Sequence, residues 1–305
     1  MGAAPARALR SGGRSCDNGR MHYPQEFSRL HIGPSGRPVD CAVAGRTTGA
    51  MESCLAHGWN TMELSFAQHI YIKEREAQDV AALQEQLGFP LSCHGSYYVN
   101  LASEEAVKIA QSRTRILQGA RRIQQCGGHS IVFHSAFYGS MDPADVTRQV
   151  IAELQDVEQQ MREMGIEVWL RPELTGKPAQ HGTPEELVEV CNAVEMALPC
   201  IDWAHMHARN NGGWNSYDEW CRLLELLGSG IKKNVLQRMH MHVSGIEYGP
   251  LGEKKHIPLP KSDLNYKELM KALKAFEVKG TLIVEAPDEK QIGVVDMFIE
   301  AWESA

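Results

Sequence analysis

Along this chain, short apolar runs alternate with longer stretches in which apolar residues recur every three or four positions, a strand signal followed each time by a helix signal. LHIG (30–33) precedes an amphipathic stretch around 43–58, and NTMELSF (60–66) precedes a helix near 73–88. PLSCHG (90–95) leads into a long helix from about 103 to 125, with Ser103 and Glu105 at its capped start. HSIVFHS (129–135) leads to a helix at 142–164, where Asp142 and Pro143 suit the cap and first-turn positions. IEVWLRPE (166–173) leads to TPEELVEVCNAV, LPCIDWAH to a helix near 216–228, NVLQRMHMHV to one near 264–277, and TLIVEA to one near 288–303. Eight strand–helix pairs without an internal break predict a (β/α)8 TIM barrel that takes residues 28–305 as one domain. The longest excursion between a strand and its helix is 243–263 (VSGIEYGPLGEKKHIPLPKSD). A connection of that length is functional or disordered, and His256 beside Lys254 and Lys255 favours function.

A barrel makes strand ends informative, because its active sites form at the C-terminal face from strand ends and the loops that follow. Six of the predicted strands end in a metal-ligating type: His94, His134, Glu173, Asp202 with His205, His242, and Glu285. One histidine at a strand end is ordinarily a satisfied core residue; six strands with such side chains at the same end reverse that reading. Neutral imidazole and carboxylate are ligands of zinc and manganese, and a closed barrel brings them to one point. The pattern therefore predicts a multinuclear metal site. Asp202 and His205 have DxxH spacing across a strand terminus. His240 and His242 share a strand face, with His242 nearer the C-terminal end as the ligand and His240 as a partner behind it. His207 is more in keeping with a loop or substrate contact. His22, His31, His57, His69, His129 and His181 lack a strand-end partner and read as structural or solvent-facing.

Composition narrows the class. At 305 residues and 43% hydrophobic content the chain can fill one barrel core. Its eight cysteines form no CxxC pair and several fall inside apolar patterns, as expected of reduced thiols in a cytoplasmic protein. No apolar run is long enough to cross a bilayer, and no secretory signal is evident, so a soluble protein without membrane partners is expected. A net charge of −7 argues against broad, non-specific nucleic-acid binding. It leaves room for DNA at a mouth made locally positive by divalent cations. Residues 1–27 carry Arg7, Arg10, Arg14 and Arg20 among Ala, Gly and Ser. They read as a flexible basic tail, or as sequence upstream of a start at Met21, with a DNA-contacting arm or a targeting segment as the sharper alternatives.

HGSYYVNLAS, IVFHS, LRPELTGK, CIDWAHMHAR, MHMHVSGIEYGPLGEKKH and LIVEAP resemble, in order and spacing, the motifs of the endonuclease IV family of apurinic/apyrimidinic endonucleases. The resemblance runs from about residue 30 to the end and is closest to the archaeal-type branch, in which SGIEY and GEKKH segments occur. It implies three zinc ions, although the mixed ligand shell also admits manganese. His94 and His134 would hold the first with Glu173, which bridges to a second held by Asp202, His242 and Glu285; His205 and His256 would hold the third. Tyr97 stands where the family places an aromatic that enters DNA near the lesion. One position departs from the family: the Asp that completes the third site in bacterial members is Lys254 here. A protonated ammonium cannot ligate a metal, so a substitute such as Glu247 or Glu253 is needed, or the third site is less occupied. The Arg that bacterial members insert into DNA has no counterpart near FAQHIYI.

The resemblance implies hydrolysis of a phosphodiester on the 5′ side of an abasic site in double-stranded DNA, as in base excision repair, by a monomer that needs no protein partner. Glu173 would stand beside the attacking water, and Lys254, Lys255, Arg209 and Lys177 are candidate phosphate contacts or solvated surface charges. The rival is a sugar isomerase or epimerase of the xylose isomerase-like barrels, which needs one metal and a Glu/Asp/His/Glu set such as Glu173, Asp202, His242 and Glu285. The surplus of His94, His134, His205 and His256 separates the two. A third possibility, motivated by Lys254, is a metal-stabilised protein that binds damaged nucleic acid without cutting it.

Overall fold

The computed structural model describes residues 27–41, 46–287 and 291–305. Most of the expected basic tail, with His22, Cys16 and Met21, lies outside the described residues.

Eight parallel strands form the barrel wall. Strands β2 (Met62–Ser65), β3 (Leu91–His94), β4 (Ser130–Phe133) and β5 (Trp169–Pro172) make one arc. Strands β6 (Cys200–Asp202), β7 (Met239–Val243), β10 (Gly280–Val284) and β1 (Leu30–Pro34) make the other. Parallel bridges join the arcs at both seams, Ser35 with Glu63 between β1 and β2, and Glu173 with Cys200 between β5 and β6. The fold is the TIM barrel that the strand–helix alternation predicts. At the first seam the backbones approach so closely that a Cβ on Gly33 would fall 1.8 Å from Thr61 O, which explains a glycine inside β1.

The helices pack outside as their periodicity demands. Helix α4 (Pro143–Glu163) buries Val146, Val150, Leu154, Val157 and Met161, one stripe along its length. Its start is fixed by Asp142, which accepts a hydrogen bond from the Ala144 amide, and by Pro143 in the first turn. Helix α5 (Pro184–Ala193) opens on a reciprocal capping box between Thr183 and Glu186. Helix α7 (Tyr217–Gly230) buries Trp220, Leu223, Leu224 and Leu227, each contributing roughly 1.5–3 kcal/mol of burial. The other long helices among the described residues are α1 (Thr47–Ala56), α2 (Glu74–Leu87), α3 (Ala106–Gln125), α8 (Tyr266–Ala275) and α9 (Gln291–Ser304).

Two local structures differ from the sequence reading. The 243–263 excursion is an ordered antiparallel hairpin, β8 (Gly245–Gly249) with β9 (Gly252–Ile257). Its turn rests on the loop after β5, where the Glu253 amide donates to Gly176 O at 2.9 Å and a Cβ on Gly252 would come within 2.3 Å of the same oxygen. Asp202 and His205 do not both belong to a strand end. Asp202 closes β6 and caps a short helix, α6 (Trp203–Arg209), by accepting from the His205 amide at 2.8 Å. The aspartate is thus both a candidate ligand and the reason the chain turns there.

The described cysteines are free thiols, and Cys54, Cys93, Cys126, Cys191 and Cys200 are buried. No helix among the described residues is long and apolar enough to cross a membrane.

Candidate metal centre

Parallel pairing in register brings the strand-end side chains to one depth: His94 pairs with Val132, and Asp202 with His242. At their centre lies Glu173, one residue beyond β5 and 1% exposed. Its two oxygens face different partners. Oε2 lies 3.2 Å from His94 Nε2 and 3.1 Å from His134 Nε2. Oε1 lies 3.4 Å from His242 Nδ1 and 3.3 Å from His205 Nδ1. Glu285 Oε1 is 3.6 Å from His242 Nδ1, and Asp202 Oδ2 is 3.3 Å from His205 Nδ1.

The ring contacts orient the imidazoles. His94 Nδ1 is 2.9 Å from Gly95 O, which leaves Nε2 for the centre. His205 Nδ1 is 3.0 Å from Leu174 O, which turns Nε2 toward the hairpin. There Nε2 lies 3.6 Å from Glu253 Oε2, while His256 Nε2 lies 3.9 Å from Glu253 Oε1 and His256 Nδ1 lies 3.8 Å from Glu285 Oε2. Of the two candidate substitutes for the missing aspartate, Glu253 is therefore the one beside His205 and His256. Glu247 instead meets Lys254 and Lys255, at 3.6 and 3.4 Å.

Burial alone would push the Glu173 carboxyl up; the imidazoles of His134, His205 and His242 hold it well below the usual carboxylate range. Burial likewise opposes protonation of His94, yet Glu173 holds its ring up at about 9.

A divalent cation fits this donor set. Glu173 Oε1, Asp202 Oδ2 and His242 Nδ1 are buried without a hydrogen-bond partner. A buried polar atom left in that state costs about 1–3 kcal/mol, more when charged, and here three such atoms face one another. The ligand atoms of His94, His134 and Glu173 lie within 4.8 Å of one another, as do those of Glu173, Asp202 and His242, and those of Asp202, His205 and His256. Imidazole and carboxylate are the donors of zinc and manganese.

Residues 51–302 match the sequence model of the family described as xylose isomerase-like TIM barrels. The chain belongs to that family. An uncharacterized protein of Methanocaldococcus jannaschii is 36% identical over 258 residues, covering 85% of this chain and 92% of the relative. Among solved structures, endonuclease IV from Thermus thermophilus superposes with a TM-score of 0.68 at 20% identity, over 91% of this chain and 100% of that one. A D-tagatose 3-epimerase-like protein superposes equally well, with a TM-score of 0.68 at 14% identity over 89% of this chain and 97% of the other. A D-psicose 3-epimerase gives 0.60 at 16% identity over 89% and 96%. At these identities the superpositions establish the xylose isomerase-like fold and leave the chemistry to the site.

Around this family's barrel mouth the other candidates take distinct places. Tyr97 is 63% exposed, with its ring 5.5 Å from that of His94, and Tyr98 beside it is 67% exposed. Lys254, Lys255 and Lys177 are exposed. Arg209 is tied to the loop after β5: its Nη1 donates to Thr175 Oγ1 at 3.1 Å, Lys177 O at 2.7 Å and Gln180 O at 3.0 Å. His207 is buried on α6, 3.1 Å from Asp263. His240 lies beneath the centre with Nδ1 2.6 Å from Thr281 Oγ1.

Sequence reasoning missed Glu63. It lies in the middle of β2, fully buried, 2.9 Å from His240 Nε2 and 3.0 Å from His242 Nε2. The available signal was a carboxylate between Met62 and Leu64 in an otherwise apolar strand.

Proposed function

We propose that this chain is a metal-dependent phosphodiester hydrolase that cuts DNA on the 5′ side of an abasic site, with zinc as its ion and manganese as the alternative. The observation that carries the proposal is the two-sided use of Glu173, whose Oε2 faces His94 and His134 while Oε1 faces His242 and His205. One carboxylate shared by two donor groups suits a centre of more than one ion. Bound ions would supply a positive anchor for the phosphate and make water acidic enough to attack near neutral pH. His94, His134 and Glu173 would hold one; Glu173, Asp202, His242 and Glu285 a second; His205, Glu253 and His256 a third.

The chain's own residues then divide the work. Water adds to phosphorus, the P–O3′ bond breaks, and the 3′ oxygen leaves as a hydroxyl while the abasic sugar keeps its 5′ phosphate. Exposed Tyr97 and Tyr98 offer ring faces at the mouth to bases next to the lesion. An abasic sugar has no base to unstack, so it leaves the duplex at low cost. Lys254 and Lys255 place positive charge on the hairpin, where flanking phosphates would pass. Cytoplasmic residence, in keeping with free, buried cysteines, and action as a monomer belong to the same proposal.

The second reading is a sugar epimerase, favoured by the equal superposition on the D-tagatose 3-epimerase-like protein. One ion on Glu173, Asp202, His242 and Glu285 would serve it, and it has no use for His134. Substitution His134→Ala separates the two. A nuclease loses its activity, whereas an epimerase retains sugar turnover; nuclease activity that survives in His134→Ala contradicts the proposal.

A further inference from the structure

Beneath the proposed ligands lies a second polar layer that the metal reading does not use. Glu63 is 0% exposed on β2, on the far side of His242 from Glu173. Ser92 Oγ donates to its Oε2 at 2.8 Å, and His240 Nε2 lies 2.9 Å from the same oxygen. The other ring nitrogen of His240 lies 2.6 Å from Thr281 Oγ1, so His240 is held at both ends. The other Glu63 oxygen, Oε1, lies 3.0 Å from His242 Nε2.

His242 is thus placed between two carboxylates. Nε2 lies 3.0 Å from Glu63 Oε1, and Nδ1 lies 3.4 and 3.6 Å from Glu173 and Glu285; none of Nε2, Nδ1 and Glu63 Oε1 completes a hydrogen bond within the protein. A neutral imidazole carries a proton on one nitrogen and a lone pair on the other. A carboxylate beside Nε2 selects the tautomer protonated there and so presents the Nδ1 lone pair to the cluster. Metal-ligating histidines are commonly fixed in this way through their outer nitrogen. Glu63 is itself fixed through Ser92, His240 and the β1–β2 seam, where its carbonyl accepts from the Gly36 amide at 2.8 Å.

We infer that Glu63 is the positioning residue of this centre: its carboxylate, 3.0 Å from Nε2 of His242, favours the tautomer that keeps its proton on Nε2 and so makes Nδ1 a ligand of the second ion. The inference rests on the metal-centre reading above and deepens it. Its partners are strand-interior side chains, so its effect should fall on the second ion and leave the His94/His134 site intact.

The test uses the full chain, stripped of metal, titrated with zinc against a chromophoric chelator, and analysed for zinc per chain after dialysis. Glu63→Gln keeps the volume but removes the charge that faces both rings. It is expected to bind one zinc about 10–100-fold more weakly than wild type and to hold the others at wild-type affinity. Wild-type affinity for every zinc in Glu63→Gln would overturn the inference while leaving the metal centre standing. A wild-type chain that binds no zinc would overturn both. Because the variant can fail to fold, nitrogen-15 spectra of the histidine rings in zinc-loaded wild type give a second reading. His242 protonated at Nε2 and ligated through Nδ1 supports the inference, and the opposite assignment refutes it.

Discussion

Arg171 and Glu173, two residues apart in the stretch WLRPE, are both charged and both buried, at 0% and 1% exposure, yet they have opposite fates. Burial pushes the Arg171 guanidinium down to about 10, but the protein supplies its partners. Nε donates to Ser130 Oγ at 3.1 Å, Nη1 to Pro199 O at 3.2 Å and Nη2 to Arg238 O at 2.9 Å. Glu173 is ringed by imidazoles, and its Oε1 still has no hydrogen-bond partner. Arg171 is closed by neutral groups of the fold, whereas Glu173 is surrounded by groups that could hold a metal ion with it. A buried charge points to function when the protein surrounds it with ligand-type groups and leaves it incomplete.

That contrast is broken most forcefully at Glu173. Glu173→Gln is expected to remove the shared ligand, lower zinc content by at least one ion per chain, and reduce nuclease turnover by about a thousandfold, some 4 kcal/mol of barrier. Metal analysis and single-turnover assays check it; unchanged zinc content would show that Glu173 is merely another satisfied buried group. Arg171→Met should do the converse. It leaves the carbonyls of Pro199 and Arg238 without their donor and is expected to destabilise the fold by about 2–4 kcal/mol in urea unfolding, with zinc stoichiometry unchanged.

Glu253 sharpens the comparison at the rim. Glu253→Gln should cost the ion beside His205 and His256 and lower turnover about 10- to 100-fold, with the zinc at Glu173 retained. Equal zinc stoichiometry in variant and wild type would remove Glu253 from the ligand set. The smallest effect is expected at Glu219, a solvated charge in the α7 capping box, far from the centre in role. Hydrogen bonds from Ser216 and the Asn215 amide hold its carboxyl down at about 2. Because the folded value lies below the unfolded one, its contribution is present above about pH 4.5 and is lost as pH falls toward 2. Acid titration of stability should show a step of about 0.5–1 kcal/mol there that Glu219→Gln abolishes, without any change in zinc content.

Much of this was legible in the sequence because it was local. Apolar period gave the strand and helix order, Thr-Pro and Asp-Pro pairs marked helix starts, and His94, His134 and Glu285 stood where strands end. What escaped depended on distant pairing. The 243–263 stretch looked like a loop because GIEYG and GEKKHI become strands only by pairing with each other, and the turn is fixed by contact with Gly176. Glu63 and Arg171 sat inside apolar strands, and their roles come from side chains on other strands: His240 and His242 on β7 for the first, Ser130 on β4 for the second. The short helix α6 was hidden because Asp202 reads as a strand end whether or not it also caps a helix.

The most direct test of the central claim is incision of a labelled duplex carrying one abasic-site analogue, by protein stripped of metal and refilled with zinc or manganese. Cleavage on the 5′ side of the lesion is expected, and only on refilling. A chain that binds two or more ions tightly and leaves the duplex uncut with either metal would contradict it and turn the centre over to sugar chemistry.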